Sequence, residues 1–354
     1  VPAAELVADP GVLASTPTGE WGGFGAVQRV GGAAVLPWRR DWLDARRAGV
    51  EAHADARTLD TGRRFAQCLV HLQKSRDATW NDLVAAWARL EPGGRLLLCG
   101  GNALGVASAV KRLARDLEQP GRVLANRRRA RIVAFERTDA RGPVAPQPAF
   151  VALPVAGVTH RLAAAPGVFS ARRLDPGTEL LLEALDEIER PPERVLDLGC
   201  GIGPLFLAAL LRWPAARATG ADADARAIAS ARHNATALGV ADRSSLVWWD
   251  ADEPVPLQGA DLAVLNPPFH AGKSVDLGPA LAMFRHLGEA LAPSGTALIV
   301  ANRTLPYERA LAELGRLRTV QETRHYKVLA FRRASRSASE RRRHAPGSRS
   351  SGSA

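Results

Sequence analysis

The chain has 354 residues, 46% hydrophobic and 23% charged, ordinary for a globular protein and long enough for two cores, since single cores stop growing at roughly 250–300 residues. No run of about 18 apolar residues could span a bilayer, and the opening "VPAAELVADP" lacks the basic and apolar regions of a secretory signal, so neither membrane insertion nor export is expected. The net charge of +11 favours a polyanionic partner, while Cys68, Cys99 and Cys200 are too scattered for a disulfide framework or a zinc site, so a reducing cytoplasm and no metal are expected.

In chain order, residues 1–137 read as a first α/β domain, abbreviated before Gly62. Its clearest elements are "ARLEPGGRLLLCGGN" from Ala88 to Asn102 and the strand "RRARIVAFER". The Pro-rich, aperiodic "TDARGPVAPQPAF" marks a linker at 138–150. Residues 151–333 form a second domain. "RVLDLG" reads as a buried strand, "PLFLAALLRW" as a helix, "RATGAD" as a strand and "ARAIASARHNATALG" as a helix. The strands "SSLVWW" and "DLAVLN" follow, then a helix from about Pro279 to Leu291, the strand "GTALIVAN", and a last strand in "HYKVLAFRR". Alternating strands and helices predict βαβ units in a largely parallel, doubly wound sheet. The Arg-rich tail at 334–354 reads as disordered and basic, a source of unselective affinity for nucleic acid.

The two halves repeat one plan. "ARLEPGGRLLLCGGN" lines up with "EALAPSGTALIVANR" (Glu289 to Arg303), and "RRARIVAFER" with "TRHYKVLAFRR", in the same order and at similar separation. The first copy has "HLQKSRDATW" where the second has Asn-Pro-Pro-Phe, and nothing upstream of it resembles the Gly-rich turn at Gly199. It reads as a fold kept without its chemistry.

In the second copy, Asp197 ends a strand, and Gly199, Gly201 and Gly203 form a tight turn that opens a helix. Such glycines let backbone approach a ligand, beside a helix N-terminus with unpaired N–H groups. Pro204 or Phe206 stands where a dinucleotide fingerprint needs its third glycine, and no P-loop run occurs. An acid beside the turn repels a pyrophosphate and suits an amine or a cation. Asp222, at the end of the next strand, stands where a carboxylate accepts from a ribose diol, and Asp250, after the third, could take an adenine amine. Three acids at successive strand ends fit a nucleoside with a positively charged tail, such as S-adenosylmethionine; the alternative is a structural turn with solvated acids.

"DLAVLNPPFHAG" then ends a buried strand on an amide, two prolines and an aromatic ring. Pro267 and Pro268 fix φ and donate no hydrogen bond, so the chain after Asn266 is stiff. An exocyclic amine on a planar base is a weak nucleophile because its lone pair is delocalised. Acceptance of its hydrogens by the Asn266 side-chain oxygen and the Pro267 carbonyl would aim that lone pair at a methyl donor, and Phe269 could stack on the base. The bland alternative is a proline-rich loop with Phe269 in the core. His270 is open between a substrate contact and an ordinary loop histidine, as are His160, Phe169 and Ser170 in "THRLAAAPGVFS" between substrate lining and plain structure.

In these residues the second domain resembles class I methyltransferases of the small-domain type, and more narrowly the ribosomal RNA guanine-N2 methyltransferases of the small and large subunits. The resemblance is carried by "GVFSARRLDPGTELLL", "VLDLGCGIGPL", "LNPPFH", "IVANRTLPYERAL" and "HYKVLAFRR". It implies a Rossmann-like, seven-stranded methyltransferase sheet preceded by a smaller, degenerate methyltransferase-like domain that binds no cofactor. It also implies S-adenosylmethionine as cofactor, ribosomal RNA or a ribosomal subunit as partner, and transfer of a methyl group to guanine N2. Asp197, Gly199, Gly201, Gly203, Asp222 and Asp250 would hold the cofactor, Asn266, Pro267, Pro268 and Phe269 would act on the base, and Phe169, Phe269 and His270 would line the substrate. Asn-Pro-Pro-Phe alone says only amino methylation, so adenine N6 and a protein glutamine amide are rivals, as is a non-catalytic RNA-binding or ribosome assembly module. The oligomeric state is left open, with a monomer favoured.

Overall fold

A computed structural model describes residues 5–138, 141–268, 270–271, 274–275 and 277–333. The basic tail, Phe269 and the His270 side chain, for which roles were expected, lie outside the described residues. None of the helices among the described residues is long and apolar enough to cross a membrane.

The first sheet has seven strands: β1 (Thr18–Trp21), β2 (Gly32–Val35), β3 (Ala52–His53), β4 (Phe65–His71), β5 (Leu90–Gly101), β6 (Arg122–Arg127) and β7 (Ala130–Glu136), in the order β3-β2-β1-β4-β5-β7-β6. Helices α1 (Gly25–Val30), α2 (Arg39–Arg47), α3 (Arg76–Arg89) and α4 (Val106–Leu117) accompany it. An antiparallel hairpin, β8 (Ala149–Val155) and β9 (Val158–Ala164), leads into α5 (Pro176–Ala184). The second sheet is built from β10 (Arg194–Leu198), β11 (Arg217–Asp222), β12 (Ser244–Trp248), β13 (Ala260–Leu265), β16 (Leu291–Asn302), β17 (Gly315–Glu322) and β18 (Tyr326–Arg333). A short ribbon, β14 (His270–Ala271) and β15 (Ser274–Val275), follows β13. Helices α6 (Pro204–Arg212), α7 (Ala225–Ala237), α8 (Gly278–Ala290) and α9 (Tyr307–Ala312) complete the domain.

The second sheet runs β12-β11-β10-β13-β16-β18-β17, the first sheet's order position for position. Its first five strands are parallel, and β18 joins β16 and β17 antiparallel. Along β13, Leu262 and Val264 enter one hydrophobic core while Ala263 and Leu265 enter another on the opposite face. Coverage on both faces is why these strands read as unbroken apolar runs. The two repeated segments fall where duplication requires, with β5 and β16 in equivalent places and β7 and β18 likewise.

The first copy is not abbreviated. Strands β1 to β3 lie before Gly62, and a turn through Gly22, Gly23 and Gly25 leads from β1 into α1, contrary to the sequence expectation. Register gives the correspondence. Trp21 pairs with Val35 and Val70, as Leu198 pairs with Ala221 and Leu265. Glu20 therefore matches Asp197, Leu36 matches Asp222, and His71 matches Asn266.

The copies meet through matching loops. Trp38 and Asp224 form an antiparallel bridge. The Arg39 N–H donates to the Ala223 carbonyl at 2.8 Å and the Ala225 N–H to the Pro37 carbonyl at 2.8 Å. By the same register Pro37 matches Ala223 and Arg39 matches Ala225, so these two bonds are one bond repeated about a pseudo-twofold axis.

Candidate active site

The glycine turn follows β10. Gly199, Gly201 and Gly203 have φ of 77°, 55° and 99°, values that side chains with a Cβ adopt only at a cost of roughly 1–2 kcal/mol. At Gly201 an added Cβ would meet open space, so the left-handed backbone alone demands glycine; at Gly203 it would also strike the Phe206 ring at 2.6 Å. Pro204 then starts α6 at a position where its missing N–H costs nothing.

Asp197 lies beneath this turn, fully buried. One carboxylate oxygen accepts from the Phe206 N–H at 3.2 Å, and the other has no partner. Burial pushes its pKa up to about 8, against the Phe206 hydrogen bond, with the neighbouring Asp222 charge adding to the rise. Asp222 accepts from the Gly201 N–H at 2.8 Å on one oxygen and from the Asp224 N–H at 2.8 Å on the other. Burial raises its pKa to about 6 while those backbone bonds oppose the rise. Asp222 thus braces the turn from the next strand. Asp250 lies just beyond β12, and its carboxylate meets Arg40 of the first domain at 2.7 Å.

Asn266 ends β13. Its amide N–H₂ donates to Asp175 at 2.9 Å and to the Thr178 hydroxyl at 2.9 Å. With both hydrogens committed, the side chain offers a ligand acceptance only, through its oxygen. Neither partner was singled out in the sequence. Asp175 is the N-cap of α5, accepting from the Gly177 and Thr178 N–H groups at 2.9 and 3.1 Å. "DPGT" is a legible helix start, but nothing local ties that cap to an asparagine in another strand. Pro267 is buried and Pro268 exposed.

A cleft joins Phe169, Ser170, Asp175, Gly199, Gly201 and Asn266. It encloses about 50 Å³, below the roughly 300–1,000 Å³ of ligand pockets, with Phe169 at its rim. That ring is 69% exposed, an unusual state for a phenylalanine. The segment carrying it is anchored behind: the Ala165 N–H donates to the Ser230 hydroxyl at 3.1 Å, and Asn234 bonds both the N–H and the carbonyl of Ala163 at 2.8 and 3.0 Å. His160 pairs with Leu153 on the hairpin and does not line this cleft. Asp222 and Asp250 lie outside its lining, along the same sheet edge.

The matching place in the first copy is closed. Glu20, fully buried, accepts from the Ala26 and Val27 N–H groups at 2.8 and 3.0 Å, and its other oxygen meets His71 Nε2 at 2.7 Å. An added Cβ at Gly23 would lie 2.6 Å from that same nitrogen, so the imidazole fills the space over the turn.

Residues 159–330 match the methyltransferase small domain family. Ribosomal RNA small subunit methyltransferase C of Pseudomonas paraeruginosa is 34% identical over 311 residues, covering 85% of this chain and 91% of that protein. The protein of the same name from Chromohalobacter salexigens is 36% identical over 250 residues, covering 70% and 72%. Among solved structures, the T. Thermophilus 16S rRNA N2 G1207 methyltransferase in complex with AdoMet and guanosine superposes with a TM-score of 0.82 at 26% identity, covering 94% of this chain and 92% of that one.

Proposed function

Since the chain belongs to the ribosomal RNA small subunit methyltransferase C family, we propose that it transfers a methyl group from S-adenosylmethionine to the N2 amine of a guanine in 16S ribosomal RNA. The observation that carries this reading is the clamp on Asn266. Asp175 and Thr178 take both amide hydrogens, which leaves the oxygen to accept from an exocyclic amine, beside the glycine turn that would hold the donor.

The residues present fit that cofactor. The turn at Gly199, Gly201 and Gly203 leaves a cradle that a Cβ or a right-handed backbone would spoil, and Asp197 keeps a buried oxygen without a partner beneath it. When bound, S-adenosylmethionine supplies an electrophilic methyl group on a sulfonium. Asp197 would act by bracing the turn, since its carboxyl is buried and takes the Phe206 N–H, while Asp222 suits the ribose diol and Asp250 the adenine amine. Asn266 and the Pro267 carbonyl would orient the target amine in line, so that catalysis is chiefly positioning. Phe169 and, beyond the described residues, Phe269 and His270 would receive the base. To reach N2 the enzyme acts on an unpaired guanine or flips one out of its stack.

The first domain, in this reading, is non-catalytic, because Glu20, Leu36 and His71 replace Asp197, Asp222 and Asn266, and an ion pair fills its turn. We place the protein with ribosomal RNA in the cytoplasm, the basic tail adding unselective affinity.

Nucleoside mass spectrometry on 16S RNA from a strain lacking this chain tests the proposal. Loss of one N2-methylguanosine, restored by the purified chain with S-adenosylmethionine, is the expected result. Loss of N6-methyladenosine in its place, or no loss with no binding of S-adenosylmethionine, overturns it in favour of the adenine or the non-catalytic reading.

A further inference from the structure

The loop that crosses from the first domain does more than bridge backbone. The Arg39 guanidinium forks onto Glu253, Nε and Nη2 each 2.8 Å from a carboxylate oxygen. It sits 5.0 Å from the ring centres of both Trp42, on its own domain, and Trp248, on the other. Trp248 in turn donates its indole N–H to the carbonyls of Pro37 and Ala223 at 3.1 and 2.9 Å. Glu253 passes the restraint on, accepting from the Asp250 N–H at 3.1 Å, while its own N–H donates to the Asp250 carbonyl at 2.9 Å. Arg40 reaches the Asp250 side chain directly, Nη2 to Oδ1 at 2.7 Å, and also pairs with Asp252. The acid turn at 250–253 is thereby held at three carboxylates by two arginines of the other domain.

The distribution of these bonds over Asp250 is uneven. Oδ1 receives Arg40 Nη2 and, at 3.0 Å, the Asp252 N–H. Oδ2 faces only Arg40 Nε, at 3.5 Å. A carboxylate has about four acceptor sites, so Oδ2 keeps the capacity for a ligand N–H, and the side chain is only 14% exposed. A carboxylate held by one oxygen and offered by the other is a fixed acceptor at the sheet edge.

We infer that Arg40, supported by Arg39, is a positioning residue for the cofactor site of the neighbouring domain, fixing the Asp250 carboxylate so that Oδ2 accepts the adenine amine of S-adenosylmethionine. This rests on the assignment of Asp250 to the cofactor, and it gives the degenerate domain a role in cofactor affinity. Arg40 touches neither the methyl group nor the base.

The full-length chain tests this by calorimetry with S-adenosylmethionine and by steady-state kinetics. For Arg40→Ala, both the Kd and the KM for S-adenosylmethionine should rise on the order of tenfold, as for loss of a charge-assisted hydrogen bond. The KM for RNA and kcat at saturating cofactor should stay within about twofold, and Tm should hardly move because exposed ion pairs contribute little to stability. Arg40→Lys should recover part of the loss, since an ammonium cannot fork. In an Asp250→Asn background the effect of Arg40→Ala should largely vanish, because the two act as one path. Unchanged cofactor affinity in Arg40→Ala, or an undiminished effect in the Asp250→Asn background, overturns the inference. If the unaltered chain fails to bind S-adenosylmethionine, it is the functional assignment that falls.

Discussion

Trp38 and Asp224 stand at equivalent positions in two copies of one fold, and the antiparallel bridge between them lies on the pseudo-twofold axis of the molecule. Reciprocal bonds about an axis are the mark of an isologous contact, the kind two identical subunits make. Here the contact is internal to one chain. The side chains around it have since diverged: Arg226, which matches Arg40, pairs with Asp224 of its own domain at 2.9 Å and with Gln73 across the interface at 3.2 Å, whereas Arg40 reaches Asp250. Arginines at one matched position thus serve different carboxylates, Arg226 within its own domain and Arg40 across the interface.

Replacing Asn266 with Ala removes the acceptor aimed at the amine and should lower kcat by about 10²–10³-fold, the scale of losing one preorganised polar group. The Kd for S-adenosylmethionine should change little, since the glycine turn and its acids are untouched. Single-turnover methylation and calorimetry on the same preparation separate the two quantities; full activity in Asn266→Ala would remove this residue from the mechanism.

Thr178 is 5% exposed and holds one amide hydrogen of Asn266 at 2.9 Å. Thr178→Val keeps the shape and deletes the acceptor, leaving the amide able to turn. kcat is expected to fall about tenfold, consistent with an orienting bond of roughly 1.4 kcal/mol, with the KM for cofactor unchanged. Loss of cofactor binding instead would mean that Thr178 supports the turn and not the amide.

The buried Asp197 carboxyl makes stability fall with pH. Folded, it holds its proton up to about 8; unfolded, it releases it near 3.8. Between those values the folded chain binds the extra proton, so stability drops as pH rises through that window. Asp197→Asn carries no such dependence. It should raise Tm at pH 8, and by clearly less at pH 5, since most of the proton-linked loss accrues between those two values. A parallel pH dependence in both proteins would show that Asp197 is ionised in the folded state.

His71 acts in the same sense over a higher pH range. Burial disfavours its charge, but bonds to Cys99 and Glu20 outweigh this and push its pKa up to about 10, from an ordinary 6.5. Its contribution to stability is fully present below about 6.5 and is lost as pH rises through 10. His71→Gln leaves Glu20 buried without its cation and should cost about 3 kcal/mol near neutral pH, measured by urea unfolding. The cost should shrink toward pH 10, and a cost that is flat with pH would mean the pair is neutral.

Most of the second domain was legible because strands buried on both faces are continuous apolar runs closed by glycine, proline or an acid, and "RVLDLG" and "DLAVLN" are such runs. Strand β17 was not, because a register shift between Thr319 and Gln321 breaks its alternation. The start of the first domain was missed for a similar reason: β1, β2 and β3 hold four, four and two residues, too few for a period to show.

The sequence by itself determined the glycine turn, the acids at the strand ends and Asn-Pro-Pro-Phe, since each depends on neighbours a few positions away and on rules of backbone sterics. Only tertiary structure decided what those groups are tied to. The clamp on Asn266 comes from 91 and 88 positions upstream, and the hold on Asp250 from 210. No local pattern records such partners, because a hydrogen bond selects distance and direction in space while the chain between its ends is free to carry any other sequence that folds.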